Sequence, residues 1–171
     1  MKKLITALTI LILFTAACNR KNLPAGLPAK MMKSYDTAAY EYVFVEGVKQ
    51  KVLGSPGDAI SYFERCIELN PGSDAAYYQI AQILIGNGDN VNANRYAKKA
   101  VELKPDNFWY LLMNAGLQYQ EKDLDSAVYY YEKAAKLYPS KDEVRITLGN
   151  LYSEKGEFEK ARGIFDSFDE K

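Results

Sequence analysis

Histidine is absent from the 171-residue chain. That removes the commonest general acid/base, the Ser-His and Cys-His nucleophile systems and the usual transition-metal ligand. Cysteine occurs only twice, as Cys18 and Cys66. Charge of one sign is also missing: 22 basic residues balance 22 acidic ones, which gives no reason to expect a nucleic-acid partner. No glycine-rich or serine-rich low-complexity stretch is present, although the chain carries 14 tyrosines. These absences leave little material for catalysis and none for a phosphate loop. "GNGDN" around Gly86 and Gly88 lacks the lysine that such a loop needs, and it reads as a turn.

The chain opens with Lys2 and Lys3, an apolar run from Leu4 to Phe14, and small residues leading to Cys18. This is the order of a secretory signal over residues 1–17. The run is shorter than the roughly 20 apolar residues that span a bilayer. "TAAC" resembles the cleavage box of bacterial lipoproteins, with Thr15 where that pattern prefers Leu. The resemblance implies cleavage before Cys18 and diacylglycerol on its sulfur, hence lasting membrane attachment. Asn19 is not the Asp that resembles an inner-membrane retention signal, so the implied location is the outer membrane, facing the periplasm. Residues 18–35 contain Pro24, Gly26 and Pro28 without a helical stripe and are expected to form the lipidated start and a flexible tether.

Beyond residue 36 the chain repeats itself. "CIELNP" ends at Pro71, "AVELKP" at Pro105 and "AAKLYP" at Pro139, each 34 residues after the last. Ala59, Phe63 and Cys66 correspond to Ala93, Ala97 and Ala100, then to Ala127, Tyr131 and Ala134; Ala161 and Phe165 begin a fourth copy. Small residues at two sites let helices approach, a larger one between them fills the groove, and the proline ends the helix.

The period and these sites resemble the tetratricopeptide repeat. In the fourth unit Leu148, Gly149, Tyr152, Gly156, Ala161 and Phe165 stand on the family's own residues. The resemblance implies an all-α, right-handed superhelical array of about four helix-turn-helix repeats, near 40–73, 74–107, 108–141 and 142–171, in a repeat domain from residue 36. It also implies a non-catalytic scaffold or adaptor for a protein or peptide partner, with no cofactor beyond the lipid on Cys18. A glycan-binding protein and a structural subunit of an outer-membrane assembly are the alternatives; the latter would use convex residues such as Lys98 and Lys99.

Three segments fit the family pattern poorly. Glu46 and Gln50 fall on apolar sites of unit one, and "YVFVEGV" alone has strand-like composition. In unit three the prolines place Asn114 and Gln118 on buried sites. Moving that helix by one residue instead puts Ala115, Gly116 and Tyr119 on the Leu-Gly-Tyr sites, which is the preferred register. Lys122 replaces the usual helix-ending glycine.

In the family, sites 2, 5, 9 and 12 of each first helix line a concave groove. Here the candidates are Phe44 and Val48, then Tyr78, Gln82 and Ile85, then Trp109 with Leu112 or Tyr110 with Met113 according to register, then Ile146 and Asn150. Such a groove would be aromatic and uncharged. Phe44 and Val48 replace the lysine and asparagine of the carboxylate clamp in chaperone-binding members. The bland alternative is that several of these aromatics are core. Cys66, on a small-residue site, reads as a buried thiol. The acids of "EFEKA" and "DLDSA" read as helix starts. "DTA" at 36–38 and "DSA" at 125–127 resemble a bacterial O-glycosylation triplet. Ala161, Ile164, Phe165 and Phe168 form one stripe, with Arg162, Asp166 and Asp169 off it, so the last helix is expected to cap the array.

Overall fold

The computed structural model describes the backbone of residues 29–169 and the side chains of residues 37–168. The signal segment and Cys18 lie outside the described residues. The chain divides into two units, residues 1–37 and 38–171, and the architecture below is that of the second.

Eight helices and no strand make up the described residues. They are α1 (Ala29–Val52), α2 (Pro56–Leu69), α3 (Asp74–Gly86), α4 (Asn90–Leu103), α5 (Phe108–Gln120), α6 (Leu124–Leu137), α7 (Asp142–Glu154) and α8 (Phe158–Asp169). Each later pair packs on itself, and each second helix packs on the first helix of the next unit. Ala59, Ala93, Ala127 and Ala161 are all buried, as are Cys66, Ala100 and Ala134. The small-residue sites therefore do what the repeat requires, bringing backbones close enough to interlock.

Local chemistry fixes the helix ends. Asp89 and Asp123 cap α4 and α6 by accepting from the backbone N–H of Asn92 and Ser126 at 3.1 Å. The turns inside the repeats place Gly54, Gly88, Lys122 and Gly156 in left-handed conformation, at φ 76°, 78°, 62° and 78°. These four positions recur every 34 residues, and only Lys122 carries a Cβ there. "GNGDN" is indeed an interhelical turn.

Two expectations need correction. First, α1 starts at Ala29, so residues 29–35 of the expected tether are helical. Ala29, Lys30 and Met31 are residue types that favour a helix. "YVFVEGV" also lies within α1, its strand propensity overridden by packing: Tyr40, Val43 and Phe44 pack on the cluster of Phe63, Cys66 and Ile80.

Second, α5 adopts the register set by the prolines and not the preferred shift. Asn114 and Gln118 are buried, while Tyr119 is 46% exposed and Gly116 has open space above it. The two amides stay because they find partners. Asn114 Nδ2 donates to the carbonyls of Ala97 (3.0 Å) and Tyr110 (2.9 Å). Gln118 Nε2 donates to Asn94 Oδ1 at 3.1 Å, and Asn94 Nδ2 donates in turn to Glu121 at 2.9 Å. A polar layer thus lies between units two and three.

The helix α6 is only partly enclosed by its neighbours. Tyr129 is 59% exposed on its outer side. The final helix buries Ala161 and half-buries Ile164 and Phe168, with the Arg145 guanidinium over the Phe168 ring at 4.2 Å. Arg162 and Asp166 pair in solvent, in keeping with a capping helix.

Candidate functional site: an apolar groove between α3 and α5

The first helices of units two and three leave a groove of about 410 Å³ between them. From α3 it is lined by Tyr78, Gln82 and Ile85, and from α5 by Trp109, Leu112, Met113, Gly116, Leu117 and Gln120. None of these side chains is charged. Successive i, i+4 or i, i+3 steps along each helix put the side chains on one face.

Capping sets the position of the tryptophan. Asn107 accepts from the backbone N–H groups of Trp109 (3.0 Å) and Tyr110 (3.3 Å), starting α5 there. Trp109 lies edge-on to Phe108 with ring centres 5.2 Å apart. It remains 62% exposed, a large apolar surface held in solvent.

Tyr78 is half-buried, with its ring 4.9 Å from that of Tyr110, and its hydroxyl accepts from Gln82 Nε2 at 2.9 Å. Burial pushes the Tyr78 hydroxyl above its ordinary pKa, an effect the Gln82 hydrogen bond partly opposes. Tyr110 itself is core: it is 6% exposed and donates to Asp74 Oδ2 at 2.7 Å. Lys104 completes that clasp with its ammonium 3.1 Å from the same oxygen. Burial first, and then the Asp74 bond, raise the Tyr110 pKa.

Of the groove residues expected from sequence, six come together: Tyr78, Gln82, Ile85, Trp109, Leu112 and Met113. Tyr110 does not join them, because the register of α5 turns it into the core. Phe44 lies edge-on to Phe63 at 5.3 Å and stacks on Tyr40 at 5.8 Å, which makes it largely packing. Val48 is 37% exposed on α1, and Ile146 (46%) and Asn150 are exposed on α7; they do not line this groove. Sequence reasoning missed Gly116, Leu117 and Gln120. Gly116 occupies groove site 9 once α5 is read in the proline register, so that signal was present.

One further residue bears on the groove. Lys51, at site 12 of α1, donates from Nζ to Gln79 Oε1 and to Gln82 Oε1, each at 2.7 Å. Burial lowers its pKa.

A second concavity of about 510 Å³ lies on the side of the second helices, among Glu64, Ile67, Glu68, Tyr77, Arg95, Tyr96 and Lys99. Each of its charged side chains has a partner: Glu68 pairs with Arg65 and Lys99 with Glu102, Glu64 accepts from Tyr96, and Arg95 donates to Asn92. Cys66 is buried, and desolvation pushes its thiol up to about 11. Among the described residues no three potential metal ligands cluster, and no helix is long and apolar enough to cross a membrane.

Sequence profiles of the tetratricopeptide repeat match residues 51–108, 78–142 and 118–170. The chain belongs to the tetratricopeptide-repeat family. No curated protein matches it. Solved structures place the fold of this tetratricopeptide-repeat chain among related arrays. MamA is 21% identical, with a TM-score of 0.66, over 78% of this chain and 73% of that one. YrrB, described as a TPR protein with an unusual peptide-binding site, is 18% identical with a TM-score of 0.68, over 79% and 73% of the two chains. The first TPR of Spaghetti, solved with an HSP90 peptide, is 16% identical with a TM-score of 0.62, over 68% and 93%. Tetratricopeptide-repeat proteins in general mediate protein–protein interaction.

Proposed function

We propose that this protein is a non-catalytic scaffold, anchored by lipid on Cys18 in a bacterial cell envelope, that holds a protein partner through the groove between α3 and α5. The observation that carries this reading is the groove: an uncharged trough of about 410 Å³ with Trp109 projecting at its edge. An apolar side chain placed there would leave water for Tyr78, Ile85, Leu112 and Met113, and a tryptophan that a partner covers is among the residue types that dominate binding energy. The peptide-bound and peptide-binding relatives support the same use of the fold. Expected outer-membrane placement rests on the signal and cleavage box that end at Cys18 and on Asn19 after it.

Affinity purification of C-terminally tagged, membrane-extracted protein tests the reading, alongside a folded Tyr78→Ala, Trp109→Ala variant. The expected result is a partner retained by the native chain and lost by the variant, with cross-links to α3 or α5. Equal retention by both would move the contact to the convex face. Metabolic labelling with an alkynyl fatty acid tests the anchor: label on the native protein and none on Cys18→Ala is expected. Exposed Trp109 also favours a second reading, stacking on a sugar ring, which a glycan array distinguishes.

A further inference from the structure

Lys51 is tied to the groove through its hydrogen bond to Gln82, and it lacks the carboxylate partner that a half-buried ammonium ordinarily has. Lys49, two residues earlier, pairs with Glu46 at 3.1 Å. Lys51 instead spends its donors on two neutral amide oxygens, Gln79 Oε1 and Gln82 Oε1, and no carboxylate pairs with it among the described residues. The charge is thus partly desolvated and only dipole-compensated, an unfavourable situation that an anion would relieve. Gln82 also lines the groove and bonds Tyr78, so Lys51 and the apolar trough are joined through a single side chain.

We infer that the groove selects a segment of a partner protein in which an apolar side chain occupies the trough beside Tyr78 and an aspartate or glutamate reaches Lys51. This inference rests on the peptide-groove reading above and specifies its ligand. An incoming carboxylate accepts from Lys51 Nζ in place of the amide oxygens. The Gln79 and Gln82 amides are then able to rotate and present their N–H groups to the same anion. An acidic side chain fits better than a chain terminus. Lys51 stands at the last groove site of α1, and Phe44 and Val48 occupy the unit-one positions where members that hold a terminal carboxylate carry lysine and asparagine.

The test uses an array of immobilised dodecapeptides, N-acetylated and either C-amidated or left with a free C-terminal carboxylate, probed with the full chain extracted from membranes in detergent and tagged at its C-terminus. Native protein is expected to select peptides that combine an aromatic or aliphatic residue with a nearby Asp or Glu. For those peptides Lys51→Gln should weaken binding about tenfold, as loss of one charge-assisted contact does, while keeping the apolar preference. Lys51→Glu should reverse the charge preference toward Lys or Arg. Thermal melts of both variants serve as the folding control. Native binding that depends on apolar residues alone, with Lys51→Glu unchanged, would overturn the acidic-residue inference and leave the groove reading standing. Binding restored only by peptides with a free C-terminal carboxylate would overturn the side-chain assignment. Failure of folded native protein to bind any peptide would remove both readings.

Discussion

The ring of Phe63 lies directly on Gly47. A Cβ at that glycine would sit 2.9 Å from Phe63 Cε1, closer than such contacts occur. The same relationship recurs three repeats later, where a Cβ on Gly149 would lie 2.7 Å from Phe165 Cζ. Phe63 is fully buried, whereas Phe165 is 37% exposed because it sits on the last helix. The neighbour's freedom to move therefore differs. Gly47→Ala is expected to destabilise by about 1–3 kcal/mol through overpacking. Gly149→Ala should cost less, despite its shorter contact, since the Phe165 ring can swing toward solvent. Urea denaturation of the two variants measures the difference, and a larger loss at Gly149 would refute the argument.

Lys122 holds a left-handed conformation that its three equivalents assign to glycine. Lys122→Gly should raise stability by about 0.5–1 kcal/mol, the left-handed penalty for a side chain less the added freedom of glycine in the unfolded chain. A higher melting temperature is the readout.

Asn114 is fully buried, and its Oδ1 has no hydrogen-bond partner although Nδ2 has two. Leucine is the family residue at this site. Asn114→Leu is expected to leave stability within about 1 kcal/mol of native or to increase it, because it removes a desolvated acceptor along with its donor. Asn114→Ala should lower stability by about 2–3 kcal/mol by leaving a void. Parallel denaturation curves compare them.

Cys66 and several half-buried tyrosines share one pH signature. Burial raises the thiol to about 11 and also raises Tyr40, Tyr78, Tyr130 and Tyr131. The unfolded chain then loses these protons at lower pH than the folded one. Their contribution to stability is complete below the ordinary thiol range and is lost as pH rises through about 11. Melting temperature should therefore fall on the alkaline side, and Cys66→Ala should delay the onset. Native Cys66 should resist thiol reagents at neutral pH until the chain unfolds.

Trp109 is the sole tryptophan and is 62% exposed. Trp109→Ala should change stability by no more than about 0.5 kcal/mol while weakening any groove ligand. A peptide that enters the groove should shift the emission of this residue to shorter wavelength. A ligand that binds with unchanged emission would place its site elsewhere.

The repeat period, the helix-ending prolines and the small-residue sites were legible because each is a local demand written in residue type. Proline stops a helix wherever it stands, and an alanine every 34 residues records a helix approach. The register of α5 was not legible in the same way. Its glycine and tyrosine suggested a one-residue shift, and only the carbonyls of Ala97 and Tyr110, with Asn94 across from Gln118, make the buried amides acceptable. The groove was half legible. Tyr78, Gln82 and Ile85 were found by repeat position, but Tyr110 followed the wrong register and Lys51 became visible only with its amide partners.

The sequence by itself determined that this chain is a stack of helical hairpins, since periodicity, capping and turn chemistry act over a few residues. Tertiary structure decided which side chains face the groove and which the core. A rotation of one residue turns a helix by about 100°, and its energy depends on partners contributed by other repeats. That is why Trp109 stands in solvent while Tyr110, its neighbour in the chain, is locked to Asp74.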